Sequence, residues 1–425
     1  MTRLFISFLG KGNYQPCKYS FEDIPPVEQV NFVQEAIARK ICANWSDEDR
    51  IRVFCTDESE RKNWLGPEGN REEGLEYKLM HLKIKPSIES VKIPIGKQED
   101  EIREIFNITY DTIQDNDEII IDITHSFRSI PFIVSAVINY AQTLKNISVQ
   151  GIYYGAYEAR DTETNIAPIL DLSEYANIIN WAWATREFVN TGETTSLNQL
   201  ITAITKPKMI ESKGRDMQGK GLDEFSKGLK KTSRILKLNR GGLVISELDD
   251  FTDRIKLITP YIDQYPLLEK LLERIKKKTS GFKKGEISNI KEGIKWCAEH
   301  NLVPQYLTCL HEGVITYLCV YLGKDFTDKK NRDLMSQAVN IRMREIPKEK
   351  WHQDAKENLE IVTKVCELID DEAAKHLNKL YQLRNDVNHY GMLKNAMNIK
   401  KLETEAVQLK DPIERFLNSI EVSNK

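Results

Sequence analysis

Two groups of side chains in this 425-residue sequence have the types and spacing to do chemistry. The first is Arg384-Asn385-Asp386-Val387-Asn388-His389, followed by Tyr390-Gly391. Histidine titrates near neutrality and suits proton transfer, while arginine suits the charge that develops on phosphoryl oxygens. Metal-free RNA cleavage needs little more. A ribose 2′-hydroxyl must be activated, the non-bridging oxygens stabilised and the departing 5′-oxygen protonated. Asn385 can orient substrate or a neighbouring helix. Arg384 and His389 are five residues apart, so an ideal helix sets them about 140° apart rather than on one face. One helix therefore makes no tight pair, whereas two such helices meeting in a dimer surround one phosphate with two arginines and two histidines. The plain alternative is a surface arginine and a helix-end histidine that favours the negative end of the dipole. Spacing alone does not separate these readings.

The second group follows an apolar run at 117–123 and reads Asp122-Ile123-Thr124-His125-Ser126-Phe127-Arg128 before an apolar helix. In an open parallel sheet, ligands bind beyond the carboxyl ends of the strands, where helix N-termini point free N–H groups outward. Thr124 and Ser126 can cap those amides or donate to a ligand, and His125 and Arg128 can meet phosphate oxygens. An earlier strand ends in Leu9-Gly10-Lys11-Gly12. There Gly10 and Gly12 allow close approach of the backbone, and Lys11 adds charge. Tyr154 or Tyr157 can stack an adenine at the same edge, in competition with core packing. Asp122 suits a loop organiser better than an acid catalyst. The alternative is that Thr124–Ser126 is a helix cap and Gly10-Lys11-Gly12 a turn. Neither GxxxxGK[ST] nor GxGxxG is present, so the chemistry reads as an anion or nucleotide edge and no more.

These groups need elements to position them. Strand-like runs at 4–9, 51–55, 91–95, 118–123 and 149–154 alternate with helical patterns at 27–43, 71–83, 99–113 and 127–144. That rhythm predicts a parallel, doubly wound α/β Rossmann-like sheet, its strands apolar throughout because both faces are covered. Runs at 151–157 and 167–172 suggest a terminal hairpin. Beyond 172 the pattern is helical. Segment 206–227, poor in apolar residues and rich in lysine and glycine, reads as a mobile surface loop with a solvated basic face. Glycines and lysines at 279–285 suggest a second boundary. Stripes at Leu359, Val362, Cys366 and Ile369, and at Leu377, Leu380, Leu383 and Val387, predict a C-terminal helical bundle. The division expected is 1–172 for the α/β domain, 173–284 for a helical connector and 285–425 for the all-α domain.

Composition narrows the classes. A net charge of −3 gives no global attraction to nucleic acid, so any RNA contact must rest on a local patch. The seven cysteines form no CxxC pair, which fits reduced thiols in the cytoplasm. No run suits a membrane span, and the N-terminus lacks signal-peptide architecture. No metal is expected, since His81, His300, His352 and His376 have no partners at ligand spacing. His311 and Glu312, in an apolar helix at 303–322, suit surface or packing roles, with flanking of the Arg384–His389 site as the alternative.

The stretch DITHSFRSIP resembles the DxTHG signature of CRISPR-associated proteins with a CARF domain, the Rossmann-like sensor of cyclic oligoadenylates. FLGKGNY and IYYGAYE resemble other segments of that family, and the likeness covers the first 170 or so residues in pattern. Ser126 stands where the family has glycine, which bears on how closely a ring can approach there. The R-N-x-x-x-H of Arg384 to His389 resembles the HEPN ribonuclease motif, which works as a composite dimer site. Together the two resemble CARF–HEPN ribonucleases of type III systems. The resemblance implies a metal-independent endoribonuclease that cleaves single-stranded RNA in antiviral defence. Its activator would be a cyclic oligoadenylate made by the type III effector complex, with cyclic tetra-adenylate preferred over cyclic hexa-adenylate on family prevalence. It implies a homodimer, open to further assembly, with Arg384, Asn385 and His389 catalytic. Gly10, Lys11, Gly12, Thr124, His125, Ser126, Arg128 and Tyr154 would bind the ring. Two other functions compete. A non-enzymatic sensor or transcriptional regulator predicts a basic recognition helix, and none is evident. A small-molecule Rossmann enzyme lacks its dinucleotide fingerprint.

Overall fold

The computed structural model describes residues 2–21, 28–68, 70–125, 129–248, 266–392 and 394–422. The chain forms two compact units, Met1–Ile179 and Asn180–Lys425.

The first unit is built on seven strands: β1 (Arg3–Leu9), β2 (Lys18–Ser20), β3 (Arg50–Cys55), β4 (Ser87–Lys92), β5 (Glu118–Asp122), β6 (Ser148–Gly155) and β7 (Ile166–Asp171). Their order across the sheet is β2-β7-β6-β5-β1-β3-β4. Every pairing is parallel except β6 with β7, the anticipated terminal hairpin. Central strand β1 is buried from Leu4 to Leu9 because both sheet faces are covered. On one face Phe5, Leu9, Ile51, Val53 and Ile120 meet helices α1 (Val33–Ile41) and α2 (Leu75–Met80). On the other, Leu4, Ile6, Phe8, Ile119 and Ile121 meet α3 (Glu99–Thr112) and α4 (Ile130–Lys145). Alternate residues of one strand thus feed two cores. Each fully buried aliphatic or phenyl side chain contributes about 1.5–3 kcal/mol to holding this layer together.

Several elements differ from expectation, among them the helix expected at 27–43, which spans Val33–Ile41. The strand placed at 91–95 is instead Ser87–Lys92, because it pairs with the whole of β3, and Pro94 cannot extend the ladder. The helix expected at 71–83 is split by Gly74 into a 3-10 turn and α2; a Cβ at Gly74 would lie 2.5 Å from the Trp64 carbonyl. Strand β2, a three-residue edge, carries too short a pattern to read.

From α5 (Ser173–Thr191), whose first residues belong to the first unit, the described chain is helical: α6 (Thr195–Glu211), α7 (Met217–Lys237), α8 (Gly241–Ser246), α9 (Pro266–Thr279), α10 (Asn289–Glu299), α11 (Val303–Tyr321), α12 (Lys329–Met343), α13 (Leu359–Leu368), α14 (Asp371–Asn388), α15 (Ile399–Gln408) and α16 (Lys410–Val422). Segment 206–227, expected as a loop, is the end of α6, a turn and the first half of α7. The lysines and glycines dilute its hydropathy, yet Leu222, Phe225 and Leu229 are buried at helical spacing, with Gly219 and Ser226 filling the same face. One apolar core gathers Trp181, Phe188, Leu197, Phe225, Leu272 and Trp296. A second surrounds α11 and takes in Leu377, Leu380 and Leu383 of α14. All seven cysteines are free thiols. Among the described residues no helix is long and apolar enough to cross a membrane, and no group of histidine, cysteine and acidic residues is arranged to hold a metal.

Candidate functional site

Strands β1 and β5 are neighbours, with Ser7 opposite Asp122, so the Gly10 and Thr124 loops leave the sheet on one edge. Asp122 is fully buried there. Ser7 Oγ donates to it at 2.7 Å, Thr124 Oγ1 at 2.5 Å and the Thr124 amide at 3.0 Å. Burial raises its carboxyl pKa, against these three donors. Thr124 Oγ1 in turn accepts from the Gly155 amide at 2.8 Å and so ties the end of β5 to the end of β6. The Thr124 hydroxyl proton is therefore spent on Asp122, and the residue shapes the edge through its backbone. Asp122 is the loop organiser that its strand-end position suggested.

His125 is half-buried and its ring lies against Tyr14, with centroids 4.3 Å apart. Burial pushes the imidazole down to about 4, which keeps it neutral at physiological pH. Its Nε2 is buried and has no hydrogen-bond partner among the described residues. Unsatisfied buried nitrogens are costly, so this atom suits a ligand group that completes it. Contact with a phosphate or base would then use a neutral ring N–H rather than a cation. Gly10 sits beside this pair. A Cβ on it would lie 3.0 Å from Tyr14 Oη and 3.4 Å from the His125 carbonyl, tighter than most side chains tolerate.

The Gly10–Gly12 turn is held from behind by the segment after β3. Asn63 Nδ2 donates to the Gly10 and Gly12 carbonyls at 2.8 and 3.0 Å, and Lys62 Nζ donates to the Lys11 carbonyl at 2.9 Å. The turn's carbonyls are thus engaged. The Lys11 ammonium pairs with Glu58 at 3.1 Å, with both groups more than half exposed, an arrangement worth little in water. Tyr154 is half-buried on β6. Ser126 and Arg128 lie outside the described residues. Tyr14 and Asn63 were not singled out from sequence. Tyr14 closes the FLGKGNY stretch, a signal in plain view, whereas Asn63 comes from a segment with no motif.

In the second unit α14 starts on Asp370, whose side chain accepts from the Ala373 amide at 2.7 Å, with Asp371 and Glu372 in its first turn. Carboxylates there suit the positive end of the helix dipole. Leu377, Leu380 and Leu383 bury one face, which leaves the RNDVNH segment at the other end. The helix ends at Asn388, just before Gly391. Gly391 takes a φ of 64° and its amide donates to the Asp386 carbonyl at 3.1 Å. Asp386 is buried and accepts from the Met397 amide at 2.8 Å, so it secures the returning chain.

Arg384 is half-buried, and its Nη2 meets Glu312 Oε1 of α11 at 3.2 Å. Its Nε is buried and has no partner among the described residues. Glu312 also pairs with Arg332 Nη2 at 2.6 Å and receives His311 Nδ1 at 3.1 Å. His311 and Arg332 hold its carboxyl down to about 2 against the opposing effect of burial. Arg332 is fixed by Thr316 Oγ1 at 3.0 Å and the Phe326 carbonyl at 3.1 Å. Asn385 and His389 are exposed. Among the described residues no hydrogen bond joins Arg384 to His389, as expected from their angular separation. Glu312, set aside from sequence, is the centre of this cluster. The signal for it was a charged pair, His311-Glu312, inside an otherwise apolar helix.

Comparison with known proteins bears on the first unit. Residues 4–158 match the family model described as "CRISPR system endoribonuclease Csx1, CARF domain". A CRISPR-associated protein of Methanocaldococcus jannaschii is 26% identical over 261 residues, a match that takes in 58% of this chain and 36% of that relative. The chain thus spans only about a third of the length of the curated relative it matches. The matched residues 4–158 comprise β1 to β6 and the sheet edge built around Asp122, Thr124 and Gly10, so this N-terminal region is similar to the CARF domain of the CRISPR endoribonuclease Csx1 family.

Proposed function

We propose that the chain is a cyclic-oligoadenylate-gated, metal-independent endoribonuclease that cleaves single-stranded RNA in type III CRISPR antiviral defence. The observation that carries this reading is a helix end bearing an anchored arginine and an exposed histidine in a chain that begins with a CARF-like domain. Three parts are assigned: the sensor at 1–172, a helical connector at 173–284 and the HEPN-type nuclease at 285–425.

In the active homodimer two α14 helices face each other across a two-fold axis. Arg384, aimed by Glu312, stabilises charge on the scissile phosphate. His389 moves the protons of the 2′-hydroxyl attack and 5′-oxygen departure, and Asn385 orients the RNA. The 2′-oxygen bonds to phosphorus as the P–O5′ bond breaks, leaving a 2′,3′-cyclic phosphate and a 5′-hydroxyl, with no metal taking part. At the other end of the chain the ring, cyclic tetra-adenylate in first place, lies over the sheet edges of both protomers. Gly10, Gly12 and the backbone of Thr124 and His125 approach its phosphates, and Ser126 and Arg128 are assigned to the ring from the sequence motif alone. His125 Nε2 completes a hydrogen bond to the ring, Lys11 releases Glu58 to meet a phosphate, and Tyr154 stacks on a base. Gating requires that the ring bind the active dimer more tightly than the inactive one.

The test is cleavage of a fluorogenic single-stranded RNA in EDTA with each cyclic oligoadenylate in turn. Stimulation by one ring size, undiminished by the chelator, is expected. Failure of every ring to stimulate cleavage contradicts the reading.

A further inference from the structure

Residues 274–295 hold eight lysines and arginines against two glutamates, in a chain whose net charge is −3. They form the second half of α9, the turn after it and the first half of α10. The acidic side chains nearby are occupied. Glu299 pairs with Lys278 at 2.5 Å, and Glu292 lies 4.0 Å from Lys295. Arg274, Lys276, Lys277, Lys283 and Lys284 are exposed and make no ion pair among the described residues. The favourable end of the helix dipole accounts for Lys276 to Lys278 in the last turn of α9. It does not account for Lys283, Lys284 and Lys295, which lie beyond that helix. Arg274, Lys277, Lys278 and Lys295 converge on one cleft of about 290 Å³, whose lining also includes Glu292 and Glu299, the partners of Lys295 and Lys278. Its aromatic floor, Phe282 and Trp296, is buried and offers no face for a base to stack on. The cleft therefore suits phosphates rather than bases. Helix α10 packs on α11, which carries Glu312, the partner of Arg384.

We propose that this basic cleft binds the sugar-phosphate backbone of single-stranded RNA, without base preference, and delivers the strand to the Arg384–His389 end of the same unit. The proposal rests on the ribonuclease reading for its substrate. Unpaired cations on an exposed face are the means by which a protein of net negative charge can hold a polyanion.

The experiment measures binding of a fluorescein-labelled 20-nucleotide single-stranded RNA to the full chain carrying His389→Ala, across a salt series. A second protein adds Arg274→Gln, Lys277→Gln and Lys295→Gln in the cleft and Lys283→Gln in the turn that follows α9, all exposed, and its thermal midpoint confirms folding. Each phosphate contact on a single strand contributes about 0.7 to the slope of log K against log salt, so the slope should become shallower by up to about 3. Affinity at low salt should fall at least about tenfold, equally for RNAs of different sequence. Unchanged affinity and slope overturn the proposal, as does a parent that binds no RNA or prefers anionic lipid vesicles. If RNA binds through these residues yet no ring elicits cleavage by the native chain, the nuclease reading fails and the binding surface stands. If cleavage occurs and the four substitutions leave KM for the 20-mer unchanged, the surface fails alone.

Discussion

The sheet edge and the end of α14 handle their polar groups in opposite ways. At the edge almost every polar atom is spent internally: Asp122 on Ser7 and Thr124, Thr124 on Gly155, and the Gly10 and Gly12 carbonyls on Asn63. Among the described residues, what remains for a ligand is backbone, the exposed Lys11 ammonium and one buried ring nitrogen of His125. At the helix end, Arg384 is held by Glu312 while Asn385 and His389 face solvent with nothing to act on. A site finished within one chain has little left over, and a site that needs a second copy leaves its working groups exposed. The difference fits a preformed receptor for an activator and a catalytic centre that is incomplete until two chains meet.

The comparison breaks most sharply at His389. His389→Ala should lower ring-stimulated RNA cleavage by about 10²–10⁴-fold, the range for loss of a general acid or base, and leave ring affinity unchanged. A parallel loss of ring binding, read by calorimetry, would show that the two regions are not separable. Glu312→Gln comes next. It keeps the shape of the side chain but removes the charge that aims Arg384, and cleavage should fall about 10–100-fold through kcat, with KM for RNA little changed. A second readout separates positioning from general damage. The Glu312 carboxyl is lowered from 4.5 to about 2 in the fold, so its contribution to stability is present above about pH 4.5 and is lost as pH falls through about 2. Thermal midpoints of the parent and Glu312→Gln chains should therefore differ at pH 7 and converge as pH approaches 2. Equal midpoints throughout would remove Glu312 from the account.

At the sheet edge the expected effects are smaller and fall on binding. Gly10→Ala forces a Cβ against Tyr14 Oη and should weaken ring affinity about tenfold; adding Tyr14→Phe, which deletes that oxygen, should restore part of it. Asn63→Ala releases two carbonyls of the turn and should weaken the ring about three- to tenfold, with cleavage unchanged at saturating activator. Loss of cleavage at saturation in either variant would mean that the edge shapes the catalytic state and not only the receptor.

How far the sequence could carry these points depended on how local their causes were. Strands such as Leu4–Leu9 were legible because burial on both faces writes a continuous apolar run. The RNDVNH helix and its stop at Gly391 were legible because periodicity and a left-handed glycine are properties of a few adjacent residues. Segment 206–227 was misread because lysine and glycine lower its average hydropathy, although the spacing of Leu222, Phe225 and Leu229 specifies a helix face. Glu312 was undervalued because its meaning lies in Arg332 and Arg384, which follow it by 20 and 72 residues. The hydroxyl of Thr124 was free to serve a ligand on paper; in the fold, Asp122 and Gly155 claim it.

The central claim is that occupancy of the CARF edge controls the Arg384–His389 end, and one experiment meets it directly. The native chain, Gly10→Ala and His389→Ala are titrated with cyclic tetra-adenylate in EDTA, and ring binding and RNA cleavage are recorded on the same samples. The account predicts that cleavage by the native chain follows ring occupancy. Gly10→Ala should need about tenfold more activator yet reach the same plateau, and His389→Ala should bind normally and cut at least about a hundredfold more slowly. Cleavage that is independent of ring occupancy, or that survives in His389→Ala, would contradict it.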